Sequence, residues 1–147
     1  QWDEAMNYVE TEGAQGICPD GWHIPSSTEW TVLTDYVNSN IGYRCNGINN
    51  YIAKSLASAY GWTSNTTTCA VGDNQSTNNI TGFNALPGGY RDLNRYFVNK
   101  SRNADFWASS GSGESAYGWL IMHGSISISN VYDKKFYSLS LRCLKNN

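Results

Sequence analysis

Four cysteines and two histidines are the residues of this chain best suited to covalent or metal chemistry. A cysteine nucleophile needs a thiolate held beside an imidazole, and the candidates are Cys143 or Cys18 with His23 or His123. No local motif joins any such pair. No two cysteines form a C-x-x-C, so a structural zinc site lacks well-spaced ligands. Cys18, Cys45, Cys69 and Cys143 therefore read as disulfides. Of the three pairings, Cys18–Cys143, joining the early and terminal segments, and Cys45–Cys69, closing a local loop, are favoured, and an oxidising compartment follows. The histidines read as packed or solvent-facing imidazoles. Paired carboxylates for glycoside cleavage could come from Glu114, Asp92, Asp105 or Asp133, but nothing in the sequence sets two of them at the required separation, and they read as scattered surface acids. Gly111-Ser112-Gly113 and Gly88-Gly89 are turns, since neither belongs to a G-x-x-x-x-G-K-S/T loop. A D-x-D-x-D-G calcium loop is also missing. Isolated Asp20, Asp73 or Asp92 could still ligate an ion with backbone carbonyls, which leaves a structural calcium as the only cofactor open. No catalytic residue is assigned, and the chain reads as a binding domain rather than an enzyme.

Elements that could position a site follow from periodicity. Trp2, Ala5, Met6 and Val9 have helical spacing before Gly13. Ser26 with Glu29 forms a capping box, and Trp30, Leu33 and Val37 recur on one face of the helix it starts. A further helix is expected over residues 49–59, with Ile52 and Leu56 inward. Residues 63–81 are mostly Ser, Thr, Asn, Gly and Asp and read as a long surface loop held by Cys69. Beyond Gly82 the pattern shifts to strands over residues 83–86, 106–110, 119–122, 125–129 and 136–144. Helices first and an antiparallel sheet after make an α+β layout.

At 147 residues the chain fits one domain. It opens on Gln1 without Met or a leader-like segment, so we read it as a domain trimmed or excised from a longer chain. Ten Lys and Arg against twelve Asp and Glu provide no basic field for phosphates, so nucleic acid is not an expected partner. No apolar run reaches the ~20 residues of a membrane helix, and direct membrane insertion is not expected. N-x-S/T sequons start at Asn65, Asn74, Asn79 and Asn99, which chance explains in so Asn-rich a chain. Between Leu93 and Asp133, Tyr, Trp, Asn, Ser, Gly, Arg and His crowd together with few charges. Such residues give large, low-entropy contact area and adaptable hydrogen bonds. The functional reading is a recognition surface, and ordinary strand and loop chemistry is the alternative.

Several segments resemble a known family, the Fibrobacter succinogenes major paralogous domain of secreted and surface bacterial proteins. They are Trp2-Asp3-Glu4-Ala5-Met6, residues 16–25 with Glu29-Trp30, residues 82–91, Phe106-Trp107-Ala108-Ser109-Ser110, Ala116-Tyr117 and Ser140-Leu141-Arg142-Cys143-Leu144. The resemblance implies a C-type-lectin-like fold of the formylglycine-generating type, two helices flanking a small twisted antiparallel sheet with long loops. It carries over no activity. The copper-holding cysteine pair of the oxidase relatives and the Glu-Pro-Asn or Gln-Pro-Asp of calcium-dependent lectins are not found here.

Similarity to the variable proteins of diversity-generating retroelements implies a binding face between the family-like segments. Its positions would be Leu93, Asn94, Arg95, Tyr96, Asn99, Asn103, Gly118, Trp119, His123, Ser125, Ser127 and Ser129. The expected function is a receptor-binding or adhesin-type display domain, extracellular on a cell or virion surface, whose partner is a protein or glycan on another surface. A fixed structural module and a formylglycine-type enzyme are the alternatives. The display reading predicts Tyr96, Trp119 and His123 exposed on one face.

Overall fold

The structure, a computed structural model, describes residues 1–147. Its longest helix, α2 (Ser27–Ser39), starts where local chemistry places it. The Ser26 hydroxyl accepts the Glu29 amide at 3.1 Å, and the Glu29 carboxylate accepts the Ser26 amide at 2.8 Å. Two amide donors that a helix start leaves unpaired are thereby satisfied. Trp30, Thr34 and Val37 are buried, and Leu33 is half-buried against the same core. The other expected helices shrink to single turns, α1 (Trp2–Ala5) and α3 (Ala53–Leu56). After α1, Asn7 and Tyr8 take φ of 53° and 58°, left-handed backbone that cannot continue a right-handed helix. After α3, Ala57 turns extended to bridge Ala85, and the Ser58 amide donates to the Ala85 carbonyl at 2.8 Å. Pairing with a distant segment thus outweighs the local helical pattern.

Three antiparallel strands form the central sheet in sequence order, β4 (Asn103–Ser112), β5 (Ser115–Met122) and β6 (Ser129–Lys134). Two-stranded ribbons are made by β1 (Trp22–His23) with β7 (Leu144–Lys145) and by β2 (Tyr90–Arg91) with β3 (Phe97–Val98). The register sets Asp105 opposite Leu120, Phe106 opposite Trp119 and Trp107 opposite Gly118. Successive side chains alternate between faces. Phe106, Trp119 and Ile121 accordingly pack with Trp30 and Val37 of α2 on one face. Trp107 and Ala116 pack with Trp2, Met6 and Ile24 on the other. Helices combined with antiparallel strands give an α+β chain.

Three expected strands are not strands here. Residues 83–86 contribute one bridge at Ala85, and residues 136–144 contribute single bridges at Ser138 and Ser140 before β7 begins at Leu144. Residues 125–128 form a turn in which the Ser125 hydroxyl donates to the Ser127 carbonyl at 2.6 Å.

Residues 63–81 are not only a surface loop. Cys69, Ala70 and Val71 are buried, because the segment pairs with the chain after β5: the Gly72 amide donates to His123 O at 2.7 Å and the Val71 amide to Ser125 O at 3.1 Å. The Lys54 ammonium donates to the carbonyls of Ala70, Asp73 and Asn74. Burial holds its pKa below the usual lysine range. A protein cation therefore already sits at the Asp73 turn. Disulfides Cys18–Cys143 and Cys45–Cys69 form as paired above, which is consistent with an extracellular domain. No helix is long and apolar enough to cross a membrane.

Candidate functional site

The ribbon of β2 and β3 projects a tip whose turn is built by Asp92. Its backbone exchanges hydrogen bonds with Tyr96 and Arg95, and its carboxylate accepts the Tyr96 amide at 2.9 Å. Arg95 takes φ 68° to close the turn. Gly89 permits the ribbon to fold back on itself. A Cβ there would fall on the Val98 carbonyl oxygen and within 2.8 Å of the Lys100 amide nitrogen, and its φ is 66°. At the tip Leu93, Tyr96 and Phe97 are 60%, 70% and 74% exposed. With Asn94 and Arg95 also exposed, the tip presents apolar area on a turn with no neighbouring element to cover it.

At the base of the ribbon lies an open basin of about 600 Å³. Asn99, Asn103, His123 and Ser125, all expected site positions, line it together with Thr67, Arg102, Met122, Gly124 and Ile126. Tertiary pairing assembles this set, since the His123 amide donates to Arg102 O at 2.7 Å while the 63–81 segment pairs with residues 123 and 125. Amide, hydroxyl and imidazole groups around one guanidinium suit hydrogen bonding to a polar partner. The His123 Nδ1 is buried with no protein partner. All four cysteines are in disulfides, so no thiolate faces either histidine. His23 is bound instead to Asn146 Oδ1 at 2.6 Å and Glu29 Oε1 at 2.9 Å, and these contacts raise its pKa, Asn146 first. Nor do three or more His, Cys, Asp or Glu side chains converge as a metal cluster.

Other expected positions lie outside the tip and the basin opening, and burial corrects Trp119 and Gly118. Trp119 is 7% exposed and stacks on Trp30 with ring centroids 6.0 Å apart. It lies on the helix-facing side of β5, so it cannot share an exposed face with Tyr96. Gly118 is buried, and a Cβ would approach Phe106 O at 3.0 Å and Val131 Cγ2 at 3.2 Å. Its position cannot carry a displayed side chain. Asn103 is buried at the basin floor. Ser127 belongs to the 125–127 turn and Ser129 opens β6, both half-buried outside the basin lining. The carboxylates are not all scattered on the surface, because Asp105 is buried and lines a second, smaller cavity with Asp133.

Sequence reading missed Phe97 and Arg102. Phe97 follows Tyr96 in an unbroken aromatic pair, a signal in plain view, whereas Arg102 enters only because residues 99–103 wrap around the basin.

No curated protein and no solved structure matches the chain. The family model described as the Fibrobacter succinogenes major domain matches residues 1–145. With the match covering all but the last two residues, the chain belongs to the Fibrobacter succinogenes major domain family.

Proposed function

We propose that this protein is an extracellular ligand- or receptor-binding display domain with a C-type-lectin-like fold, in which the β2–β3 tip and the adjoining basin form the contact surface. The observation that carries the reading is the exposure of Leu93, Tyr96 and Phe97 on one turn beside a polar basin lined by Asn99, Asn103, His123 and Ser125. Exposed aromatics next to adaptable hydrogen-bonding groups are the usual make-up of a protein-contact surface. Two disulfides and two apolar clusters on opposite faces of the sheet support side-chain change at the tip without loss of the core. A helix against one sheet face, single turns elsewhere and long loops support the C-type-lectin-like assignment. The partner is a protein or glycan on another surface.

Diversification by a retroelement is part of the proposal, confined to fewer positions than the whole 93–133 stretch. Sequencing the coding locus across a population tests it. Substitutions clustered at residues 93–99 and at 123 and 125, sparing Gly118 and Trp119 and accompanied by a template repeat, are the expected result. An invariant tip would remove diversification and leave a fixed adhesin. Substitutions spread evenly over buried and exposed positions would sink the display reading.

A further inference from the structure

On the face of the sheet opposite α2, the strands leave a half-open pocket of about 260 Å³ between Tyr90, Asn103, Asp105, Leu120, Val131, Asp133, Tyr137 and Leu139. Strand alternation explains its lining. Asp105 faces Leu120 across the β4–β5 ladder, and β6 brings Val131 and Asp133 along the same side. Tyr90 comes from β2 and Tyr137 from the terminal segment, their rings 5.4 Å apart at 68°. Asp105 is 6% exposed, and its Oδ2 is buried without any hydrogen-bond partner. No Lys or Arg is among the lining residues. An unpartnered carboxylate oxygen, a second carboxylate and two phenol rings thus surround a space that contains no protein cation.

We infer that this cavity binds a protonated alkylammonium group, with Asp105 and Asp133 as counter-charges and the rings of Tyr90 and Tyr137 as cation–π walls. Size selects a small group, since pockets for drug-sized ligands start near ~300 Å³. Chemistry selects an organic ammonium over a divalent metal. Calcium takes about six to eight oxygen ligands, whereas here two carboxylates share the space with Leu120, Val131, Leu139 and two rings. Burial and the Asp133 charge raise Asp105 to a pKa of about 6, with the Asn103 side chain opposing them. Burial raises Asp133 as well. Tyr90 and Tyr137 are the other titratable groups that face the pair, and Tyr90 is raised by burial, then by Tyr137 and the neighbouring acids. A bound cation would relieve this repulsion. The inference stands apart from the display reading, because it concerns this cavity and not the exposed tip.

The test is titration of the protein at pH 8 with n-butylammonium chloride, followed by amide shifts in two-dimensional NMR, with n-butanol and calcium chloride as parallel probes. Saturable shifts at Asp105, Leu120, Asp133 and Leu139 with n-butylammonium alone are expected. Binding should weaken at least tenfold in Asp105→Asn and fall about tenfold at pH 5, where Asp105 takes up its proton. If Asp105→Asn fails to fold, Asp133→Asn replaces it, with weakening expected again. Acetyl-lysine methylamide and glucosamine then separate a lysine side chain from an amino sugar as the source. No shift with n-butylammonium, an equal response to n-butanol, or calcium displacing the amine from the cavity would each overturn the inference.

Discussion

At the scale of single residues, burial assigns the chemistry. Asp105 and Asp92 are the same residue type thirteen positions apart, yet Asp92 caps a solvent-exposed turn while Asp105 is enclosed. The Asp92 carboxylate accepts the Tyr96 amide, whereas Asp105 Oδ2 is buried without a hydrogen-bond partner. The Asp105 pKa in the fold, about 6 against 3.8 ordinarily, means that the folded chain keeps a proton the unfolded chain has lost. Stability from this group is therefore fully present below pH 3.8, is lost as pH rises through about 6, and is absent above. Asp105→Asn removes the ionisation. It should match the parent near pH 4 and exceed it at pH 8 by up to ~2 kcal/mol, as measured by urea unfolding at both pH values. A difference independent of pH would show that Asp105 does not titrate as described. His23 and Glu29 illustrate the opposite arrangement. Although burial pushes Glu29 up, the Ser26 amide, the His23 ring and the Ser26 hydroxyl together hold it below its ordinary value.

At the scale of elements, α2 was legible in full because its signals are local. Ser26, Glu29 and the Trp30 to Val37 stripe lie within a few residues of one another, and cap and stripe specify start and face together. The strand β5 was legible only as a strand. Its alternation does not say which face meets α2, and a shift of one residue would exchange Trp119 with Gly118 or Leu120. Trp119 entered the contact set through the family resemblance, and its packing on Trp30 decides otherwise. Trp119→Ala should cost about 3–5 kcal/mol of stability by leaving a cavity. Tyr96→Ala on the exposed tip should stay within about 0.5 kcal/mol. Thermal and denaturant unfolding of the two variants compares them directly. Equal, small losses would place Trp119 back on the surface.

At the scale of the whole molecule, covalent links hold together a chain with little regular structure. Cys18–Cys143 spans 125 residues and ties the start of the chain to the β1–β7 ribbon. Cys45–Cys69 spans 24 and fixes the segment beneath the basin. On the chain-entropy account, loss of the first should cost about 5 kcal/mol and loss of the second about 3.5 kcal/mol. Denaturant unfolding of Cys18→Ser/Cys143→Ser and Cys45→Ser/Cys69→Ser checks the order, and a larger loss from the shorter loop would show that native-state packing, not unfolded-chain freedom, dominates. Other ties are non-covalent. Arg142 donates to the carbonyls of Phe83 and Asn84 and lies 4.8 Å over the Phe83 ring, joining the last segment to a stretch that has no strand of its own.

By itself the sequence determined the family, the α+β class, the disulfide-rich character and the capped helix, because motif spelling, cysteine number and helix caps are written in neighbouring residues. Leu93, Asn94, Arg95 and Tyr96 entered as contact positions through the family resemblance, while the turn that Asp92 builds beneath them became visible only in the fold. Only the tertiary structure decided that the expected helix over residues 49–59 ends at Leu56, that the polar 63–81 segment dives beneath residues 123–125, that Trp119 is core, and that Asp105 and Asp133 share a cavity. Each depends on which distant strand is the neighbour and in what register. Residues far apart in the chain carry no local record of that pairing, and a shift of one position turns every side chain to the other face.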